Sequence, residues 1–297
     1  MIAGMASRYS NTSKRWISRI LILVAVVLVS GCSMRRILLD NHEWLAGRMA
    51  VRYLDLDRKQ QDLFAEKLRV FSRRIAESRL GELAGLIESA GKVSDPSVVA
   101  EQIEGSVRGI LVEACDTFAP VMASLEPDQV ELLKEKIEER NDEHDPEKNG
   151  GLAQYRRKKR EDQVSSTERW TGLLSTRQKQ LIEEIDGEKD QAGQWERDYL
   201  AYSREAQGVF LASLLRNRAN PVKLAEDCRA YASNPDAFLG SQAREMKSRV
   251  RAMRRKSLSA IHASLDAQQK LHLARETARL ASDLRVWAMA VMKQASP

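Results

Sequence analysis

The sequence predicts an all-α protein in which long antiparallel helices form an elongated bundle. Three observations indicate this fold class. Apolar residues recur three or four positions apart over most of the chain, as they do on the buried face of a helix. No segment shows the apolar–polar alternation that is typical of a strand. Glycine (15) and proline (7) are scarce among the 297 residues, which disfavours a turn-rich all-β fold.

The first 31 residues predict a secretory signal segment. They carry basic residues up to Arg19 and no acidic residue, and the apolar run over 20–29 follows. A run of ten apolar residues is too short for a membrane-spanning helix, which takes about 20, but it fits the apolar region of a signal peptide.

The segment Val29-Ser30-Gly31-Cys32 is similar to the bacterial lipobox. The resemblance implies a lipoprotein signal peptide over 1–31 and a covalent diacylglyceryl and N-acyl lipid, such as palmitate, on the Cys32 thiol. Ser33 implies release to the outer membrane. The predicted location is therefore the periplasmic face of the outer membrane, with the lipid bilayer as a partner. The alternative is a chance Gly-Cys pair after a signal anchor. Residues 32–40 then form a lipid-anchored linker, and 41–297 form the helical domain.

Breaking and capping residues divide the helical domain. A single apolar stripe over 57–90 ends at Gly91. Further helices are predicted over about 96–122, 127–143, 152–173, 175–185, 190–219, 237–263 and 266–293. The helix over 190–219 carries a coiled-coil-like seam that begins with Trp195, Tyr199 and Tyr202. The polar loop over 144–151 is the candidate boundary between one bundle and a second.

Two cysteines remain when Cys32 is lipidated. Cys115 and Cys228 both lie on helical patterns. The periplasm is oxidising, so the two thiols can pair, and the alternative is two separate buried cysteines that pack as small apolar residues. No CxxC motif occurs, so the sequence supports neither a thioredoxin-like motif nor a cysteine zinc site.

The net charge of +6 does not indicate a nucleic-acid partner. Without the first 31 residues, 44 basic residues face 42 acidic ones, so most of the excess belongs to the signal segment. Two basic clusters remain, over 156–160 and 249–256. The second could contact phosphate-rich lipopolysaccharide, acidic lipid or an acidic partner, or it could be solvated surface.

Four helix starts share the pattern Leu-x-x-x-Gln: Leu56 to Gln60, Leu125 to Gln129, Leu174 to Gln178, and Leu265 to Gln269. The pattern predicts a capping box, in which the residue after the leucine accepts a hydrogen bond from the glutamine N–H and the glutamine side chain reaches back. Glu126 is a weak N-cap residue, and the other three positions are Asp57, Ser175 and Asp266.

These helix starts are similar to the L-T-x-x-Q repeat of the Spy-type periplasmic chaperones. Over nearly the whole mature chain, the sequence more closely resembles a family of uncharacterised proteobacterial lipoproteins that carry a domain of unknown function. The resemblance is carried by the lipobox, the four helix starts, and the segments 41–45, 53–60, 139–141, 169–170 and 173–175. It implies an outer-membrane lipoprotein and supplies no catalytic residue.

No motif in the sequence points to an enzyme. The histidines are His42, His144, His262 and His272, and none has metal-ligand spacing. No GxSxG, P-loop or GxGxxG motif occurs. We therefore expect a non-enzymatic protein without a catalytic residue, metal or cofactor other than its lipid. It would bind protein or envelope partners in a scaffold or chaperone-like role. The alternative is an envelope hydrolase with a site between helices.

Overall fold

A computed structural model describes Leu39 and residues 41–189 and 192–294 of the chain. These residues form eleven α-helices and two short 3-10 helices, and no strand occurs among them. The prediction of an all-α fold is confirmed. The helices are α1 (His42–Leu54), α2 (Arg58–Ser78), α3 (Leu80–Ala90), α4 (Pro96–Ala123), α5 (Pro127–Asp142), α6 (Leu152–Thr171), α7 (Thr176–Asp186), α8 (Gln194–Asn217), α9 (Pro221–Ser233), α10 (Ser241–Ser264) and α11 (Ala267–Gln294).

The long helix α4 lies at the centre of the arrangement. It packs against α2 and α3 on one side and against α9, α10 and α8 on the others. The last helix, α11, returns to the start of the fold and packs against α2, α3 and α6. Helices from before and after the 144–151 loop therefore pack against one another.

The expected single stripe over 57–90 is divided into two helices at Arg79. The Arg79 backbone closes α2 by donating to Ile75 O, and its φ of −129° takes it out of helical geometry. The Arg79 side chain then pairs with Glu113 of α4 at 2.7 Å, and only a tenth of the Glu113 side chain is exposed. The break lets α2 and α3 each turn an apolar face toward α11: Ile75 and Leu80 pack near Val291, and Ala84 packs near Leu280.

The structure buries the predicted seam on α8 only in part. Leu214, the last residue of the seam, is buried, and the other buried apolar residue of this helix is Leu200, which the seam did not include. Trp195 instead lies against charge: the guanidinium carbon of Arg249 is 4.9 Å from the centre of the indole ring. An arginine on an aromatic face is a favourable contact at a partly exposed site, so the Trp195 side chain can be stabilised without being buried in the core.

Candidate functional site

The first two helix-start motifs meet in space and bind each other. The Nε2 amide of Gln60 donates to Gln129 Oε1 at 2.9 Å, and the Nε2 amide of Gln129 donates back to Gln60 Oε1 at 2.8 Å. Each Nε2 also donates across the pair to a backbone carbonyl, Gln60 to Ser124 and Gln129 to Asp55, both at 2.7 Å. Asp55 has a left-handed φ of 46°, which aspartate tolerates better than most residues.

The capping boxes complete the hydrogen bonding of the two amides. The N–H of Asp57 donates to Gln60 Oε1 and that of Glu126 donates to Gln129 Oε1. Each Oε1 therefore accepts two hydrogen bonds and each Nε2 donates two, which is all that an amide side chain can make. Such a fully satisfied pair can lie at a helix junction without leaving a polar group unpaired.

The third and fourth motifs repeat this arrangement atom for atom. Gln178 and Gln269 exchange amide hydrogen bonds at 2.7 and 3.0 Å. Gln178 Nε2 also donates to Ser264 O, and Gln269 Nε2 donates to Leu173 O. The leucine that precedes each of the four N-caps is buried, with at most 6% of its surface exposed: Leu56, Leu125, Leu174 and Leu265. We call the two units the first and second glutamine pairs. Sequence reasoning placed every cap but gave no sign that the caps would bind one another.

Cys115 and Cys228 form a disulfide in the structure. It joins α4 to α9 with the two Cα atoms 5.5 Å apart. Next to it, Arg229 donates to the Asp116 carboxylate, so the same two helices are also held by an ion pair. Both contacts lie between helices that are separated along the chain by the 144–151 loop, and they act as a structural tie.

A cavity of about 1890 Å³ lies among the described helices, and its walls are mostly apolar. Its lining residues come from every described α-helix except α9. Aromatic side chains form much of the central wall: Phe64 and Phe71 contact Phe118, with ring centroids 5.5 and 5.3 Å away. We call this space the apolar cavity.

Exposed apolar residues mark an opening of the apolar cavity between α4 and α10. Val107, Leu111 and Leu258 line the cavity and are 41%, 53% and 40% exposed. Sequence reasoning missed this site. The sequence of α4 does contain a signal for it. This helix is long enough to reach the protein surface, but apolar residues occur around its whole circumference, so some of them must be exposed.

Charged residues bridge this opening. Arg251 of α10 pairs with Glu104 of α4 at 2.5 Å, and Arg255 pairs with Glu101 in the next turn. These residues belong to the basic cluster that the sequence shows over 249–256. The pairs are exposed, so each contributes little to stability and weakens with salt.

The histidines do not form a reactive cluster. His42 lies on the cavity wall with its ring edge-on to Trp287 and its Nδ1 2.9 Å from Leu39 O. His144 packs against Tyr199 outside the cavity. Burial, followed by the charges of Lys159 and Arg140, lowers the pKa of His144 to about 4. Within the described part of the chain, no three His, Cys, Asp or Glu side chains are placed to hold a metal ion.

The remaining predicted site residues lie outside the described part. They are Cys32 and the lipobox residues Val29, Ser30 and Gly31. Among the helices that are described, none is both long and apolar enough to cross a membrane.

A family model described as a family of unknown function, DUF6279, matches residues 52–235. The chain belongs to this family. The DUF6279 match covers the first glutamine pair, the disulfide and the third helix-start motif, and it stops before Gln269. It confirms the expectation of a family of unknown function, whereas the lipobox and the similarity to Spy-type chaperones stay predictions. Comparisons with curated proteins and with solved structures gave no match.

Proposed function

We propose that this protein is a lipid-anchored envelope protein that binds the apolar part of a partner in the apolar cavity. The observation that carries the proposal is the size and lining of that cavity. Pockets for small molecules usually measure about 300–1,000 Å³, and this one reaches about 1890 Å³ with mostly apolar walls. An apolar surface of this size is unfavourable in contact with water, and a bound partner would cover it.

The charges around the apolar cavity support binding better than catalysis. Its three carboxylates, Glu101, Glu104 and Asp186, are each engaged by a basic side chain. Each of these ion pairs joins two helices, so the carboxylates have a structural partner. No observation on the described residues favours the envelope hydrolase.

The predicted anchor is close to the apolar cavity along the chain. Leu39 lines the cavity and is seven positions after Cys32, so the two residues are at most about 25 Å apart. Two or three acyl chains at Cys32 would hold the domain permanently at a bilayer. The cavity would then face the periplasm within reach of lipids and of envelope proteins.

The address is tested by feeding cells a clickable palmitate and comparing the native chain with Cys32→Ala. We expect label on the native protein, absence of label on the variant, and the labelled protein in the outer-membrane fraction. A native chain that carries no label and fractionates as a soluble protein would contradict the anchored address.

Binding through the apolar cavity is tested in cells by photocrosslinking. The full chain receives p-benzoylphenylalanine in place of Leu111, which lines the opening and is 53% exposed. The matched control carries it in place of Leu215, which is 55% exposed and lies outside the cavity. We expect a discrete adduct at position 111 and none at 215. The proposal fails if irradiation gives no adduct at position 111.

A further inference from the structure

We infer that the occupant of the apolar cavity is the acyl chain of an anionic amphiphile, whose headgroup lies at the basic opening between α4 and α10. The inference rests on the proposed function and names the class of ligand. It follows from the lining, from the charges at the opening, and from the backbone of the helices that form the walls.

The shape of the apolar cavity suits a long flexible chain. Its walls come from helices at both ends of the sequence and include Phe210 of α8, Phe118 of α4, Trp287 of α11 and Ile261 of α10. An unbranched acyl chain can follow such a path because its single bonds rotate and it contains no polar group. Each methylene that leaves water makes binding more favourable.

The charge of the lining selects an anionic headgroup. Six cationic side chains lie on it against three acidic ones; the cations are Lys136, Arg140, Lys189, Arg251, Arg254 and Arg255. Four of the six pair with carboxylates: Lys136 with Glu139, Lys189 with Asp186, Arg251 with Glu104 and Arg255 with Glu101. An anionic headgroup would therefore meet the cation that forms no such pair, Arg254.

Arg254 is the residue best placed to receive the headgroup. It is exposed, it lines the cavity, it lies in the same turn of α10 as the two arginines that pair with Glu104 and Glu101, and it forms no ion pair with a described residue. Leu258, one turn further along α10, is apolar and 40% exposed. At the opening, Arg254 would therefore contact the anionic headgroup and Leu258 would contact the first part of the acyl chain.

A polypeptide fits the apolar cavity less well than an acyl chain does. The walls are helices, whose backbone N–H and C=O groups are already bonded within each helix. An extended peptide would therefore leave its own backbone groups without partners, which is costly away from water. A helical peptide satisfies its backbone but has a diameter of about 10–12 Å with its side chains.

The test uses the full chain in cells fed a photoactivatable, clickable palmitate analogue that enters phospholipids. After irradiation, the protein is purified and the cross-linked peptides and adduct masses are identified. We expect adducts of phosphate-containing lipid on peptides of α4 and α10. Val107→Trp should block the opening and abolish them, whereas Val222→Trp, at an exposed site outside the cavity, should not.

The headgroup site is tested by reversing one charge. Arg254→Glu should lower lipid labelling by roughly fivefold or more, since it replaces attraction by repulsion at the mouth. Arg275→Glu reverses an exposed charge on α11, outside the cavity, and should leave labelling unchanged. Unchanged helical circular dichroism of each variant shows that it has folded.

Three results would overturn the inference. One is lipid label that is equal in the native chain and in Val107→Trp. Another is an adduct that joins the cavity only to the chain's own Cys32 peptide. The third is a protein adduct alone at position 111, which leaves the proposed function standing and replaces the lipid by a polypeptide.

Discussion

Truncation of the two glutamines in the first pair should reveal a coupling energy whose size follows from the number of hydrogen bonds that the two side chains share. The Gln60 side chain takes part in four hydrogen bonds, and so does the Gln129 side chain, but two of these are shared. At about 1 kcal/mol each, Gln60→Ala and Gln129→Ala should each lower the free energy of unfolding by about 4 kcal/mol. The double variant loses six bonds and not eight, so the coupling energy should be about 2 kcal/mol.

The assay is urea unfolding of the purified full-length chain, followed by helical circular dichroism. Gln61→Ala is the matched single control, because the Gln61 side chain donates only to Leu56 O, and it should cost about 1 kcal/mol. Gln60→Ala combined with Gln178→Ala is the control for coupling, because these residues belong to different pairs and their effects should add. A coupling energy below about 0.5 kcal/mol within the first pair, or an equal one between pairs, would refute the reasoning.

Three further predictions use the same unfolding assay. Glu196→Ala removes the carboxylate that Arg156 binds at 2.7 and 2.9 Å, and should cost about 3–5 kcal/mol because the pair is buried. As the pH falls from 6.5 to 4, the free energy of unfolding of the native chain should decrease by roughly 1–3 kcal/mol relative to that of His144→Gln. The reason is that the fold lowers the pKa of His144 to about 4, so the unfolded chain binds more protons than the folded chain over this pH range. Gly91→Ala should cost about 1–3 kcal/mol, because its Cβ would lie 2.2 Å from the nearest atom of α11, whereas Gly85→Ala meets no neighbour and should not destabilise.

Local features of this fold could be predicted from the sequence, and features that depend on packing could not. A capping box involves residues three positions apart, so its glutamine and its N-cap residue are visible in the sequence. The partner of Gln60 is 69 positions away and that of Gln178 is 91 positions away. Nothing in the spacing of the motifs indicates which two will meet.

The same limit applies to the break at Arg79 and to the apolar cavity. Periodicity carries the apolar stripe through Arg79 without interruption, but Glu113 of α4 draws the arginine side chain aside. The apolar cavity exists because helices distant in sequence do not pack tightly against one another. Apolar periodicity shows which face a helix buries and not whether the space behind it is filled.

Because each glutamine pair joins two consecutive motifs, the two pairs can form one after the other during folding. The first glutamine pair needs no residue beyond its second helix start, so a chain that emerges N-terminus first can form it while the rest is still being delivered. The second pair forms only when α11 has begun, and α11 is also the wall that packs back on α2 and α3. Residues of α11 also line the apolar cavity, so the cavity is completed only when this helix has packed, and until then it is open along one side.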